Sequence, residues 1–156
     1  MVQAILKGQK TQTRRVVKDP YVVGLLEMGQ PNNALTLCRR RTGDILWVRE
    51  TFRPKSHGMP IGDPYEYRAT ALEDGNPTDE PWKPSIFMPK EACRIFLKVT
   101  NVRVERLQSI SEADAKAEGF DSIDSFFALW QKLNGTESLA ANPWVWVYEF
   151  EVIPKP

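Results

Sequence analysis

An α+β domain built on a curved, barrel-like antiparallel sheet is the fold class this sequence predicts. Three observations point to it. Strand-like segments recur at uneven intervals and do not alternate with helices as they do in a doubly wound fold. Trp144–Val152 alternates residue by residue over its whole length, as a long strand does. Helix signals are few and short: Ser111-Glu112-Ala113-Asp114 reads as a capping box, and Gly119 ends the helix it opens.

The elements follow in order. Val2, Ile5 and Leu6 form one helical face that Gly8 terminates. Beyond it Thr13, Val16 and Val17 favour an extended strand. Pro20, Gly24, Gly29, Pro31, Asn32 and Asn33 predict a loop excursion over 18–34, and Leu35–Cys38 a short strand. Arg39-Arg40-Arg41-Thr42-Gly43-Asp44 reads as a basic turn before a strand from Ile45 towards Phe52. Residues 53–64 read as loop, Tyr65–Ala69 as a strand, and 73–85 as an acidic, proline-rich loop ending near Trp82. Arg94–Leu107 is the longest strand-like stretch, with Asn101 marking a bulge or bend. Asp121 or Ser122 caps a second helix carrying Phe126, Phe127, Leu129, Trp130 and Leu133, closed by Gly135. In Trp144–Val152 the even-numbered aromatics are expected in the core and the odd positions on a mixed face. Trp47, Trp144 and Trp146 are expected to be core residues rather than stacking platforms.

With 156 residues the chain is most simply one domain, 1–156, large enough to bury a core. No apolar run reaches membrane-spanning length and no signal peptide opens the chain, so a cytoplasmic protein without membrane partners is expected. Cys38 and Cys93 are isolated and read as reduced thiols in or near the core. His57 is the only histidine, which argues against a zinc site or a Ser-His-Asp triad. No metal and no cofactor are expected. The net charge of +1 hides an asymmetry. Residues 1–55 hold eleven Lys/Arg against four Asp/Glu, and residues 56–156 hold ten against sixteen. If the two parts do not mix in the fold, the N-terminal part attracts a polyanion.

The segment Gly8-Gln9-Lys10-Thr11-Gln12-Thr13-Arg14-Arg15 concentrates the chemistry. In an extended strand Thr13 and Arg15 point to one side, and Lys10 at the junction leans over it. An amine, a hydroxyl and a guanidinium aimed at one point hold a phosphate, or activate the threonine as a nucleophile with Lys10 as its base. Each residue also has a plainer reading: a solvated Lys10, a strand threonine, and an Arg15 paired with Asp44. Arg39, Arg40 and Arg41 read as a solvated turn or as phosphate contacts that give affinity without sequence specificity. Trp82 is the tryptophan best placed for an exposed stacking role.

Gly8-x-Lys10-x-x-Thr13-x-Arg15 resembles the Gly-x-Lys-x-x-[Glu/Thr]-x-Arg signature of the ASCH domain, a branch of the PUA-like β-barrel superfamily. The Thr42-Gly43-Asp44 turn before Ile45-Leu46-Trp47-Val48, the strand-helix order over Val99–Glu118 and the closing strand Trp144–Val152 are similar to that family as well. The likeness extends over most of the chain, nearest to ASCH-like proteins of phages and prophages, and implies a bacterial or phage source. It implies a PUA-like α+β barrel with short helices. It also implies one of two functions. The first is RNA or nucleotide binding in a basic cleft around Lys10–Arg15, with Arg14, Arg15, Arg39, Arg40, Arg41 and Trp82 as contacts. The alternative is an amidohydrolase on an acylated nucleoside such as acetylcytidine. There the family's Lys-x-x-Thr pair falls on Lys10 and Thr13 and its glutamate on Glu118, with Glu112 or Asp114 one slip away. A third reading is an accessory phage protein that binds a protein partner. The family usually places a strand before its first helix. This chain begins inside that helix, which the resemblance reads as a truncated gene or a late start site.

Overall fold

A computed structural model of the chain describes residues 1–55, 63–71 and 81–156. The loops expected over 56–62 and 72–80, with His57, lie outside the described residues.

The centre is a four-stranded antiparallel sheet in the order β1-β6-β5-β2. Its strands are β1 (Gln12–Val16), β2 (Ile45–Trp47), β5 (Phe96–Arg106) and β6 (Trp144–Ile153). β3 (Phe52–Pro54) and β4 (Tyr65–Tyr67) form a separate two-stranded ribbon. The longest strands, β5 and β6, pair along nearly their full length, and the register shifts between Val99 and Asn101. This is the bulge expected at Asn101, and it bends the sheet. The result is a curled half-barrel with short helices on it, the α+β fold class expected.

Around the sheet lie α1 (Val2–Leu6), α2 (Pro20–Glu27), α3 (Pro31–Thr36), α4 (Arg68–Ala71), α5 (Glu112–Ala117), α6 (Ile123–Asn134) and α7 (Glu137–Ala140). The capping box on α5 is present as expected: the Ser111 hydroxyl accepts from Asp114 N–H, and Asp114 accepts from Ser111 N–H. Ser122, not Asp121, caps α6.

Residues 18–34 are not a loop. Asp19 accepts a hydrogen bond from Tyr21 N–H at 2.9 Å, and Pro20 occupies the first turn of α2. Proline is favoured there because the missing N–H would have no helical partner. Pro31 starts α3 in the same way, and Leu35–Thr36 belong to that helix rather than to a strand. Residues that punctuate loops elsewhere are helix starts here.

These two helices alter the burial of β6. Val145 and Val147 are fully buried with Leu107, Ala115, Phe126 and Trp130, beneath α5 and α6. Trp144 and Trp146 face the other way and are half-buried against Val17, Val22, Leu26 and Ala34, from β1's end, α2 and α3. Both faces of the strand are therefore covered. The valines form its deepest layer there, whereas Tyr148 and Phe150 are buried as expected.

Candidate functional site

β1 is tied to β6 with Thr13 opposite Tyr148 and Arg15 opposite Trp146. Gly8, at φ +69°, turns the chain out of α1, and Lys10 N–H then donates to the Ala4 carbonyl at 3.0 Å. That turn sets Lys10 just ahead of the strand, beside the C-terminal end of α5.

There it meets Glu118. Lys10 Nζ lies 2.6 Å from Glu118 Oε2 and donates to the Glu118 carbonyl at 2.9 Å. Thr11 N–H donates to the Ala117 carbonyl at 2.8 Å, which locks the end of α5 onto the start of β1. Lys10 and Glu118 are both 5% exposed, so this is a buried ion pair. A residue ahead of a C-terminal glycine is ordinarily on the surface. Here Gly119, at φ +88°, lets the chain pass close to α1 and β1: a Cβ at this position would lie 3.3 Å from the Cβ atoms of Ala4 and Lys10. Neither Glu112 nor Asp114 takes the place beside Lys10.

Alternation along β1 divides its side chains. Thr13 and Arg15 share one side, as expected, and Arg15 Nη1 donates to Thr13 Oγ1 at 2.9 Å. The threonine hydroxyl is thus held by Arg15 rather than by Lys10. Arg15 itself is exposed. It does not pair with Asp44, whose carboxylate accepts from Arg41 N–H within its own turn.

Gln12 and Arg14 point the other way and are buried. Arg14 is enclosed by carboxylates: Glu105 at 2.6 Å, Glu118 at 3.2 Å and Asp114 at 3.4 Å. Arg103 continues the network to Asp114 at 2.7 Å, to Glu105 at 3.3 Å and to Glu149. Arg14 was expected to touch a ligand, but its guanidinium is engaged with the protein's own carboxylates. One oxygen of Glu118 takes Arg14 and the other takes Lys10.

Burial lowers the pKa of Lys10 below the ordinary lysine value. The charge and hydrogen bond of Glu118 oppose the shift without cancelling it, and Arg15 and Arg14 add to it. For Asp114 burial pushes the carboxyl up. Hydrogen bonds from Ser111 and Gln12 and the charge of Arg14 outweigh it, leaving the group below its usual value.

A half-enclosed cavity of about 460 Å³ opens at this point, between α1, the free side of β1 and α6. Lys10, Thr13, Arg15 and Glu118 form its polar side, and Phe120, Phe126, Trp130 and Leu133 an apolar wall. The volume suits a small organic molecule. Among the described residues no cluster of His, Cys, Asp and Glu could hold a metal, and no helix is long and apolar enough to cross a membrane.

The other expected ligand-binding residues lie outside this cavity. Arg39, Arg40 and Arg41 are exposed in the turn after α3, and no hydrogen bond or ion pair to a described residue holds their side chains. They follow Cys38, whose Sγ lies 3.3 Å from the Tyr148 hydroxyl on the Thr13 side of the sheet. Trp82 is half-buried, with the Arg53 guanidinium 4.3 Å above its ring. One face of that indole is therefore already stacked.

Sequence reasoning missed the Arg14–Arg103 carboxylate network and the aromatic wall from α6. Strand parity was the available signal for the first, since it sets Gln12 and Arg14 opposite Thr13. The amphipathic pattern of 123–134 was the signal for the second.

No family model matches the sequence, and no curated protein does. Solved structures share the fold. An ASCH domain from Lactobacillus crispatus JV V101 superposes with a TM-score of 0.50 at 14% identity, over 98% of this chain and 70% of that one. A protein of the DUF984 family model from Enterococcus faecalis V583 gives 0.51 at 12% identity, over 97% of this chain and 66% of that one. The chain thus spans about two thirds of the length of either structure. At this identity the likeness is one of fold: the chain has the α+β, PUA-like fold of an ASCH domain.

Proposed function

We propose that the chain is an amidohydrolase that removes an acyl group from the exocyclic amine of a nucleoside held in the 460 Å³ cavity. The observation that carries this reading is the buried Lys10–Glu118 pair on the wall of a cavity that Thr13 also lines. A lysine used only to attract phosphate has no need to be buried against a carboxylate. Burial favours the neutral form that a base needs, and at Lys10 it outweighs the opposing charge of Glu118.

In this scheme Lys10 passes a proton to Glu118 across their 2.6 Å contact, which leaves both groups neutral. Thr13 Oγ1 attacks the acyl carbon and gives its proton to Lys10. The C–N bond breaks, Glu118 returns its proton to the departing amine, and the acyl group stays on Thr13 as an ester. Water, deprotonated by the same pair, cleaves the ester, releases the carboxylic acid and restores the hydroxyl. Arg15 holds the hydroxyl before the attack and orients the substrate at the mouth of the cavity.

Chromatographic detection of cytidine released from acetylcytidine tests the proposal. The rate is expected to fall as pH rises and Lys10 loses to solvent the one proton that the pair shares and that Glu118 must return to the departing amine. The midpoint should fall below 10.5, the ordinary lysine value, since the Lys10 pKa is lowered. Undetectable turnover removes this substrate, and a pH-independent rate removes Lys10 as the base.

A second reading has its own observation, the exposed Arg39-Arg40-Arg41 turn. It supports binding of single-stranded RNA through phosphates. Replacing all three by alanine is then expected to weaken filter binding and to flatten its salt dependence, by up to about one unit of slope for each phosphate no longer neutralised. Binding that is indifferent to salt rejects it.

A further inference from the structure

Among the described residues β1 pairs with β6 alone, so one of its sides is a free sheet edge there. The phase of the ladder decides which backbone groups are left over. Phe150 N–H donates to the Thr11 carbonyl at 2.8 Å, and Val17 N–H donates to the Trp144 carbonyl at 2.9 Å. Odd-numbered residues of β1 therefore bond to β6. Gln12, Arg14 and Val16 direct their N–H and C=O groups to the open side.

Of these, Arg14 and Val16 line the cavity. The Arg14 carbonyl already accepts from Arg15 Nη1 at 2.8 Å. The groups without a partner in the ladder are the two N–H groups and the Val16 carbonyl. Before Gln12 the open side is closed, because α5 ends there and takes Thr11 N–H. Past Val17 the chain turns into α2 at Asp19. The usable edge is Arg14–Val16, about 7 Å of strand.

We infer that this short free edge reads the hydrogen-bonding edge of a nucleobase, with an acceptor of the base facing the Arg14 or Val16 N–H and a donor facing the Val16 carbonyl. The inference rests on the nucleoside reading above and adds to it the part of the chain that recognises the base. Three features favour a base over an added peptide strand. The edge is too short for a ladder of several residues. The cavity volume fits one nucleoside rather than a through-running chain. The opposite wall, Phe126, Trp130 and Leu133, is apolar, as the face of a flat ring requires. Main-chain groups cannot be altered by ordinary substitution, so such a reader is invisible to side-chain motifs.

Proline makes it testable. Val16→Pro deletes one N–H on the open side and leaves the β6 ladder intact, a position where an edge strand accepts proline. Val16→Ala keeps the N–H. The measurement is titration of the ¹⁵N-labelled protein with cytidine, uridine, adenosine and guanosine in turn. For whichever nucleoside binds wild type best, Val16→Ala is expected to stay within about threefold and Val16→Pro to weaken at least roughly tenfold, the effect of removing one hydrogen bond in a partly dry site. In wild type the Arg14 and Val16 amide signals should move with the same binding curve, and further than those of Thr13 and Arg15, whose N–H groups are bonded inside the ladder. That arm stands even where Val16→Pro fails to fold. Equal binding by the two variants, with unmoved Arg14 and Val16 amides, overturns the edge inference and leaves the nucleoside reading standing. Wild type that binds none of the four nucleosides overturns both. A short valine-rich peptide that moves the Val16 amide where nucleosides do not overturns it in favour of strand addition.

Discussion

Arg14→Ala is expected to destabilise the protein by about 3–5 kcal/mol, the usual result of removing one partner from a buried ion-pair network. The Arg14 side chain has no exposed surface, and three carboxylates, Glu105, Asp114 and Glu118, converge on it. Truncation leaves their charges facing one another in a site that water cannot fully enter. Arg15→Ala, next door on the same strand, is exposed and should cost no more than about 0.5 kcal/mol. Urea denaturation of the two variants, compared at equal m-values, measures both. A loss below about 1 kcal/mol for Arg14→Ala would mean that Lys10 and Arg103 alone neutralise the cluster. Acid bears on the same network. The Asp114 pKa is lower in the folded chain than the ordinary 3.8, so its contribution is present at neutral pH and fades as pH falls through that value and below.

The largest kinetic effect is expected at Lys10 and Thr13. Under the hydrolytic reading, Lys10→Arg should lower turnover of acetylcytidine by roughly 10²–10⁴, the range for removal of a general base. Arginine keeps the charge and its attraction to Glu118, but it does not release a proton at neutral pH. A lysine serving only to bind phosphate would tolerate the change with a modest loss. Thr13→Ala should abolish the covalent route while leaving the fold nearly unchanged, because Thr13 is half-buried and its hydroxyl is held by a single exposed arginine. Turnover retained in Thr13→Ala rules out the threonine as nucleophile. Turnover retained in Lys10→Arg rules out the lysine as base.

The parts of this structure legible in the sequence are those set by neighbours in the chain. Gly8, the Ser111–Asp114 box, Gly119 and the bulge at Asn101 each declare themselves within a few residues. The Lys10–Glu118 pair is legible only through a family resemblance, since 108 positions separate its members. Arg14 misleads because Thr13 and Arg15 attract attention, whereas its own parity sends it to Glu105, 91 positions away. One error leads to another at β6. Pro20, Gly24 and Asn32 read as loop signals, which hides α2 and α3. Without them, a strand covered on both faces looks like one with a single buried side.

The pairing of β1 with β6 also bears on how the protein comes into being on the ribosome. Residues 12–16 leave the ribosome long before 144–153, their one strand partner among the described residues. Until then β1 has no ladder, and Arg14 has no β6 beside it to hold it in register against the carboxylates of β5 and α5. Such dependence on distant segments delays folding. A nascent chain halted short of Trp144 can form α5 and α6 but cannot seat Lys10 beside a paired strand. Synthesis of this domain therefore yields no partly working intermediate: the cavity's polar wall is completed in the same step that closes the sheet.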